Sequence, residues 1–188
     1  AAGKSTLLQG LRHAGLPAPV TTPTIGYDVD EFEHADVIYT ICDVGGQKQL
    51  RSQWSRLLTS GAAWGHGVER VSGVVFVVDA ADPARWPEAR EELRRLRADT
   101  RLHGTPFVVL ANKMDLPFAQ SPEALAEALQ LAGQAAVVTG APCAVQSAST
   151  LEGSGVLAAL EWIAENAEEV AVAPVHKAEC KGIRQGLE

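Results

Sequence analysis

This sequence has little of what marks several large classes of protein, and each shortage excludes something. Cysteine occurs three times, at Cys42, Cys143 and Cys180. An odd number at unrelated spacings fits neither a disulfide framework nor a zinc-ligand pattern, and it suits a reducing compartment. The longest apolar runs, around residues 74–78 and 107–111, fall far short of the roughly 20 residues that cross a bilayer as a helix. No secretory signal pattern is visible, so a cytoplasmic protein is expected. Positive charge is in deficit: 16 Lys and Arg against 23 Asp and Glu leave a net charge of −7. No basic stripe offsets that balance, so no nucleic-acid partner is expected. Arg94, Arg95 and Arg97 lie one turn from Glu88, Glu91 and Glu92, which reads as a solvated helix face.

What is present is ordinary globular material. The 188 residues, 46% hydrophobic and 21% charged, suffice for one domain that buries about two-thirds of its unfolded surface. Apolar, β-branched runs at 38–43, 74–79, 107–112 and 143–147 read as strands. Between them lie helical patterns: one opened at Gly3 and running to His13, one with Trp86, Ala89, Leu93 and Leu96 on a single face, and two at 123–131 and 156–167. Ser121 and Pro122 are placed to cap and start the third. Residues 29–33 can pair antiparallel with 38–43 across a polar turn. Strand and helix in alternation predict an α/β fold, mostly a parallel sheet with helices on both faces and one antiparallel edge hairpin. Ligands of such sheets bind where strands pass into helices. Asp43, Asp79 and Asn112 each close an apolar run at that rim.

Four stretches carry chemistry. Gly3-Lys4-Ser5-Thr6 reads as the back half of a phosphate-binding loop, G-x-x-x-x-G-K-[ST]. Glycine permits close backbone approach, successive N–H groups at a helix start cradle phosphate, Lys4 neutralises it, and the Ser5 hydroxyl can sit on Mg²⁺. Asn112-Lys113-Met114-Asp115 follows a strand directly. The Asp115 carboxylate can accept both hydrogen bonds from the N1–H and N2–H₂ edge of guanine, a donor pair that adenine lacks. Lys113 can lay its aliphatic stem on the base, and Asn112 can brace neighbouring loops. In Asp43-Val44-Gly45-Gly46-Gln47, Asp43 can hold a metal-bound water, the Gly46 N–H can meet a terminal phosphate, and Gln47 can orient an attacking water. Thr24, in Pro23-Thr24-Ile25-Gly26-Tyr27, can give its hydroxyl to Mg²⁺ and its N–H to the same phosphate.

Read together, A-A-G-K-S-T, P-T-I-G-Y-D-V, D-V-G-G-Q, F-V-V-D-A-A-D, A-N-K-M-D-L-P and L-E-W-I resemble the Arf family of small GTPases, Arf-like proteins included, over residues 1–167. The resemblance implies a P-loop NTPase fold, cycling between GTP and GDP with Mg²⁺, and hydrolysis that is slow without an activating protein. It implies exchange factors, GTPase-activating proteins and effectors, and a role in membrane traffic or in ciliary or cytoskeletal organisation. Lys4 and Gln47 are the catalytic candidates. Gly3, Lys4, Ser5, Thr6, Thr24, Gly46, Asn112, Lys113 and Asp115 are the nucleotide-binding ones, and Ser5, Thr24 and Asp43 the Mg²⁺ ligands. The family's last guanine contact, a backbone N–H after the final strand, is assigned to Ser149-Thr150, which maps without gaps, over Ser147-Ala148, which matches better in letters but requires a gap; Ser149 and Thr150 thus join the nucleotide-binding candidates. The first glycine of the phosphate loop, its strand and any segment for peripheral association with intracellular membranes are expected ahead of residue 1. Residues 168–188 are expected to form a flexible tail.

The chain departs from the family pattern in places. Tyr27 matches an aromatic of the effector surface, but Cys42 stands where Trp is usual and Leu57 where Tyr or Phe is usual. The stretch from Trp54 to Asp79 is longer than usual, with residues 61–67 and Trp64 as the apparent insertion. Two rivals remain open on sequence: a nucleotide-binding pseudo-GTPase scaffold without turnover, and an ATP-using P-loop kinase, which Asn112–Asp115 disfavours.

Overall fold

The computed structural model describes residues 2–12, 27–35, 37–47, 51, 54, 71–131 and 140–167. Thr24, Leu57, the stretch 61–67 and the tail 168–188 lie outside the described residues. In chain order the elements are α1 (Lys4–Arg12), β1 (Tyr27–His34), β2 (Val37–Val44), β3 (Val74–Asp79), α2 (Trp86–Arg97), β4 (Phe107–Asn112), α3 (Pro122–Ala128), β5 (Cys143–Ser147) and α4 (Val156–Asn166).

Strand β4 organises the core because all six of its residues are buried. Side chains alternate across a strand. Phe107, Val109 and Ala111 therefore pack with Trp86, Leu93, Leu96 and Leu125 of α2 and α3 on one face. Val108 and Leu110 pack with Leu7, Val156, Ala159 and Ile163 of α1 and α4 on the other. Each Val, Leu, Ile or Phe among them contributes about 1.5–3 kcal/mol by leaving water. A central parallel strand covered on both sides is the continuous apolar run that the sequence shows. Helix α3 begins as expected: the Ser121 side chain accepts from the Ala124 N–H at 3.2 Å, with Pro122 at the first helical position.

The expected parallel sheet and antiparallel hairpin are both present, in two sheets rather than one. β3, β4 and β5 pair in parallel, and β1 and β2 pair only with each other. No described strand lies between β2 and β3 to carry hydrogen bonds from one sheet to the other. The hairpin is correspondingly wet, and Asp43 is its only buried residue. Phe32 and Tyr39 stack across it at 5.1 Å, and at its tip His34 meets Glu161 of α4 at 3.0 Å. Its other end delivers Asp43 to the strand-end rim.

Candidate functional site

Helix α1 starts at Lys4 directly behind Gly3, whose φ of +96° is open to glycine at little cost. A Cβ at Gly3 would collide with the Asn112 amide and press on the Thr150 hydroxyl. The phosphate loop therefore lies flush against the loops after β4 and β5, and glycine is what lets it.

Asn112 is the clasp of that junction and is fully buried. Its Nδ2 donates to the Ala2 carbonyl at 2.7 Å and to the Thr150 hydroxyl at 3.0 Å, while its Oδ1 accepts the Thr150 N–H at 2.9 Å. Three loops distant in sequence close on one side chain, whose amide hydrogens are all engaged within the protein. Asn112 thus bonds its own loop to the other two at once.

Beside it, the Ser149 hydroxyl donates to Asp115 Oδ1 at 2.6 Å and accepts the Glu152 N–H at 3.2 Å. Ser149 is 1% exposed, so it fixes one carboxylate oxygen of Asp115 while the residue stays only half-buried. This geometry singles out Ser149-Thr150 over Ser147-Ala148 as the pair beside Asp115. Ser147 ends β5, and the Ala148 N–H and carbonyl are spent on Ala111 and Met114. The backbone N–H implied for guanine from the pair is a different matter. The Ser149 N–H donates to the Ser154 carbonyl at 3.1 Å and the Thr150 N–H to Asn112. The pair's work in this structure is to hold Asp115 and Asn112.

Lys113 sits in the left-handed region at φ 71°, and its Nζ meets Asp79 Oδ2 at 2.6 Å. Its ammonium is thus taken by a carboxylate that is itself only 10% exposed.

At the phosphate end, the Ser5 hydroxyl donates to Asp43 Oδ2 at 2.6 Å. Two of the three expected Mg²⁺ ligands, 38 residues apart, therefore share one spot, and Asp43 is 7% exposed there. One buried carboxylate and one hydroxyl, both hard oxygens beside a phosphate loop, suit an ion that takes few protein ligands and completes its shell with phosphate and water. The Lys4 ammonium lies over Gly46, so that a Cβ there would stand 2.5 Å from Nζ. Burial pushes the Lys4 pKa down, Asp43 opposes that fall, and nearby Arg51 adds to it. Such a cation gains from an anion arriving beside it. Thr6, the next residue of α1, is half-buried.

The loop after β2 is held from behind. Trp54 Nε1 donates to the Gly45 carbonyl at 2.9 Å and Arg51 Nε to the Gly46 carbonyl at 3.2 Å. Arg51 reaches on to α2, with Glu88 at 2.9 Å and Glu92 at 3.9 Å. Trp54 stands edge-on to Phe76 of β3 at 6.2 Å. Gln47, by contrast, is exposed in a bend. Burial and the adjacent Asp43 and Asp28 push the Cys42 thiol up to about 11, away from the thiolate.

Arg51, Glu88 and Asp79 were given no role by motif reading. A signal for Asp79 did exist, since it closes β3 as Asn112 closes β4, and the two are register partners. Arg51 carries no such mark.

Residues 1–167 match the model of the ADP-ribosylation factor family. Among solved structures, the chain is similar to the Arl6 BBS3 small GTPase from Trypanosoma brucei with the nucleotide analogue GppNp bound. The two share 28% identity with a TM-score of 0.69, over 87% of this chain and 90% of that one.

Proposed function

This chain belongs to the ADP-ribosylation factor family of small GTPases, switch proteins that bind and hydrolyse GTP, and from that premise we propose how its residues divide the work. Asp115 reads the guanine edge, positioned by Ser149. Asn112 and Thr150 lock the base loop onto the phosphate loop. The backbone of Gly3 to Thr6 cradles the phosphates, Lys4 balances the charge that develops as the terminal phosphate departs, and Gly46 offers its N–H to that phosphate. Ser5 and Asp43 would hold Mg²⁺, with Thr24 joining them by its place in the motif. The ion, when bound, supplies charge neutralisation of the triphosphate. Gln47 orients the water that attacks the terminal phosphate in line, releasing GDP and inorganic phosphate.

The observation that carries the proposal is the 2.6 Å hydrogen bond from Ser5 to Asp43. It joins the phosphate-loop helix to the end of the hairpin, two segments that nothing in local sequence brings together. The Lys4 ammonium beside Gly46 supports the same convergence.

Regulators and effectors act on switches of this family. For this chain we propose a nucleotide exchange factor, a GTPase-activating protein that contributes a missing arginine, and effectors that read the exposed Tyr27. The proposed setting is the cytoplasm and the surface of intracellular membranes, in traffic or ciliary or cytoskeletal organisation. Single-turnover hydrolysis of GTP tests the chemistry, with and without Mg²⁺ and an activating protein. Gln47→Leu should bind GTP as before and lose stimulated hydrolysis, by about 10³-fold or more. Stimulated turnover that survives the change removes Gln47 from the mechanism.

A further inference from the structure

Asp79 closes β3 and has no part in the roles assigned above, yet it is held from several sides. It is 8% exposed. Its Oδ1 accepts the Ala81 N–H at 3.1 Å, its backbone carbonyl accepts Trp86 Nε1 at 3.0 Å, and Arg85 stands 3.7 Å from its Oδ2. The same Oδ2 takes the Lys113 ammonium at 2.6 Å. Parallel pairing sets Asp79 beside Asn112, and the Ala80 N–H donates to the Asn112 carbonyl at 2.8 Å, so Lys113 emerges next to an anchor already in place.

Lys113 also has a left-handed backbone, a conformation that costs a non-glycine residue and persists where the surroundings impose it. The ion pair to Asp79 and the turn closed by the Leu116 N–H on the Lys113 carbonyl at 3.0 Å are two such impositions. With its charge committed to Asp79, Lys113 has only a methylene stem left to offer, and its side chain is 34% exposed. An apolar stem held at a fixed height fits the flat face of a purine, where a free ammonium would seek phosphate or water.

We propose that Asp79 is a positioning residue for base recognition, tethering the Lys113 ammonium so that the lysine stem forms one wall of the guanine site. The inference rests on the assignment of residues 112–115 to the base. In Asp79→Asn, the side-chain oxygen remains with the Ala81 N–H, so an amide donor faces the ammonium and the tether is lost.

The test measures dissociation of GDP and of ribose 5-diphosphate, which lacks the base, by titration calorimetry on the full chain. Asp79→Asn should weaken GDP about tenfold, the scale of one base-stacking contact, and leave the base-free diphosphate unchanged. The double variant Asp79→Asn/Lys113→Met keeps an apolar stem without a charge to restrain and should recover most of the GDP affinity. It also carries the test should the single variant not fold. Equal losses for both ligands, or a double variant as weak as the single, overturn the proposal. Asp115→Asn separates the two levels. If it loses GDP while Asp79→Asn does not, only the tether is wrong; if it binds GDP like the parent, residues 112–115 are not the base site.

Discussion

The two ends of the site are built in opposite ways. At the base end, Asn112, Ser149 and Thr150 are buried and linked by hydrogen bonds of 2.6–3.0 Å that run within the protein. At the other end, Gln47 is exposed, and among the described residues the loop that carries it is held through the carbonyls of Gly45 and Gly46. A buried, satisfied network has one arrangement, and leaving any member unpaired is costly. A loop gripped through its carbonyls by Arg51 and Trp54 leaves Gln47 exposed. The difference suits a protein that must recognise one base at all times yet respond to the presence or absence of one phosphate.

Breaking the base end should have the largest effect. Asn112→Ala strands the Thr150 N–H and the Ala2 carbonyl, and should cost about 3 kcal/mol of stability, measured by urea unfolding. A loss within error of zero means that the three loops are not joined through this side chain. The corresponding change at the other end is Arg51→Ala, which frees the Gly46 carbonyl and unpairs Glu88. With Glu88 40% exposed, solvent screens the pair, and stability should fall by no more than about 1 kcal/mol. Hydrolysis should slow more than nucleotide affinity weakens, roughly tenfold, because the loop loses its setting. Equal losses in both would make the two ends alike after all.

The smallest effect is one of pH. Burial lowers the Lys4 pKa below its ordinary 10.5. Without ligand, the cost of holding this charge is present below the lowered pKa, and it is relieved as pH rises through that value toward 10.5. Bound phosphate favours the charged form, so nucleotide affinity should begin to fall on the alkaline side before an ordinary lysine titrates. Calorimetric titrations of base-free ribose 5-diphosphate at a series of alkaline pH values check this, since the guanine N1–H itself titrates in that range. An affinity that is flat until pH reaches 10.5 would show that Lys4 does not meet the phosphates.

How much was legible in the sequence follows the same division. The strands were readable because β4 is buried along its whole length and β3 is buried or half-buried, so each is apolar up to the polar residue that closes it. The phosphate and base motifs were readable because their spacing is dictated by what a purine nucleotide requires. What no local pattern encodes is contact between distant segments. The Asn112–Thr150 and Ser149–Asp115 bonds span 38 and 34 residues. They decide that Ser149-Thr150, not the better-spelled Ser147-Ala148, stands beside Asp115. Likewise, the tether of Lys113 to Asp79 exists only because β3 and β4 run parallel in that register. The separation of the hairpin from the three-stranded sheet was equally invisible, since strand order leaves no mark in a run of apolar residues.

The account stands or falls on whether the loops after β4 and β5 discriminate a keto purine. Dissociation constants for GDP and ADP, measured on the same preparation with magnesium present, test this most directly. Preference for GDP by at least about 10²-fold is the expected result for a site whose carboxylate acceptor, Asp115, would be left unpaired by adenine. Equal affinity for the two nucleotides would contradict it.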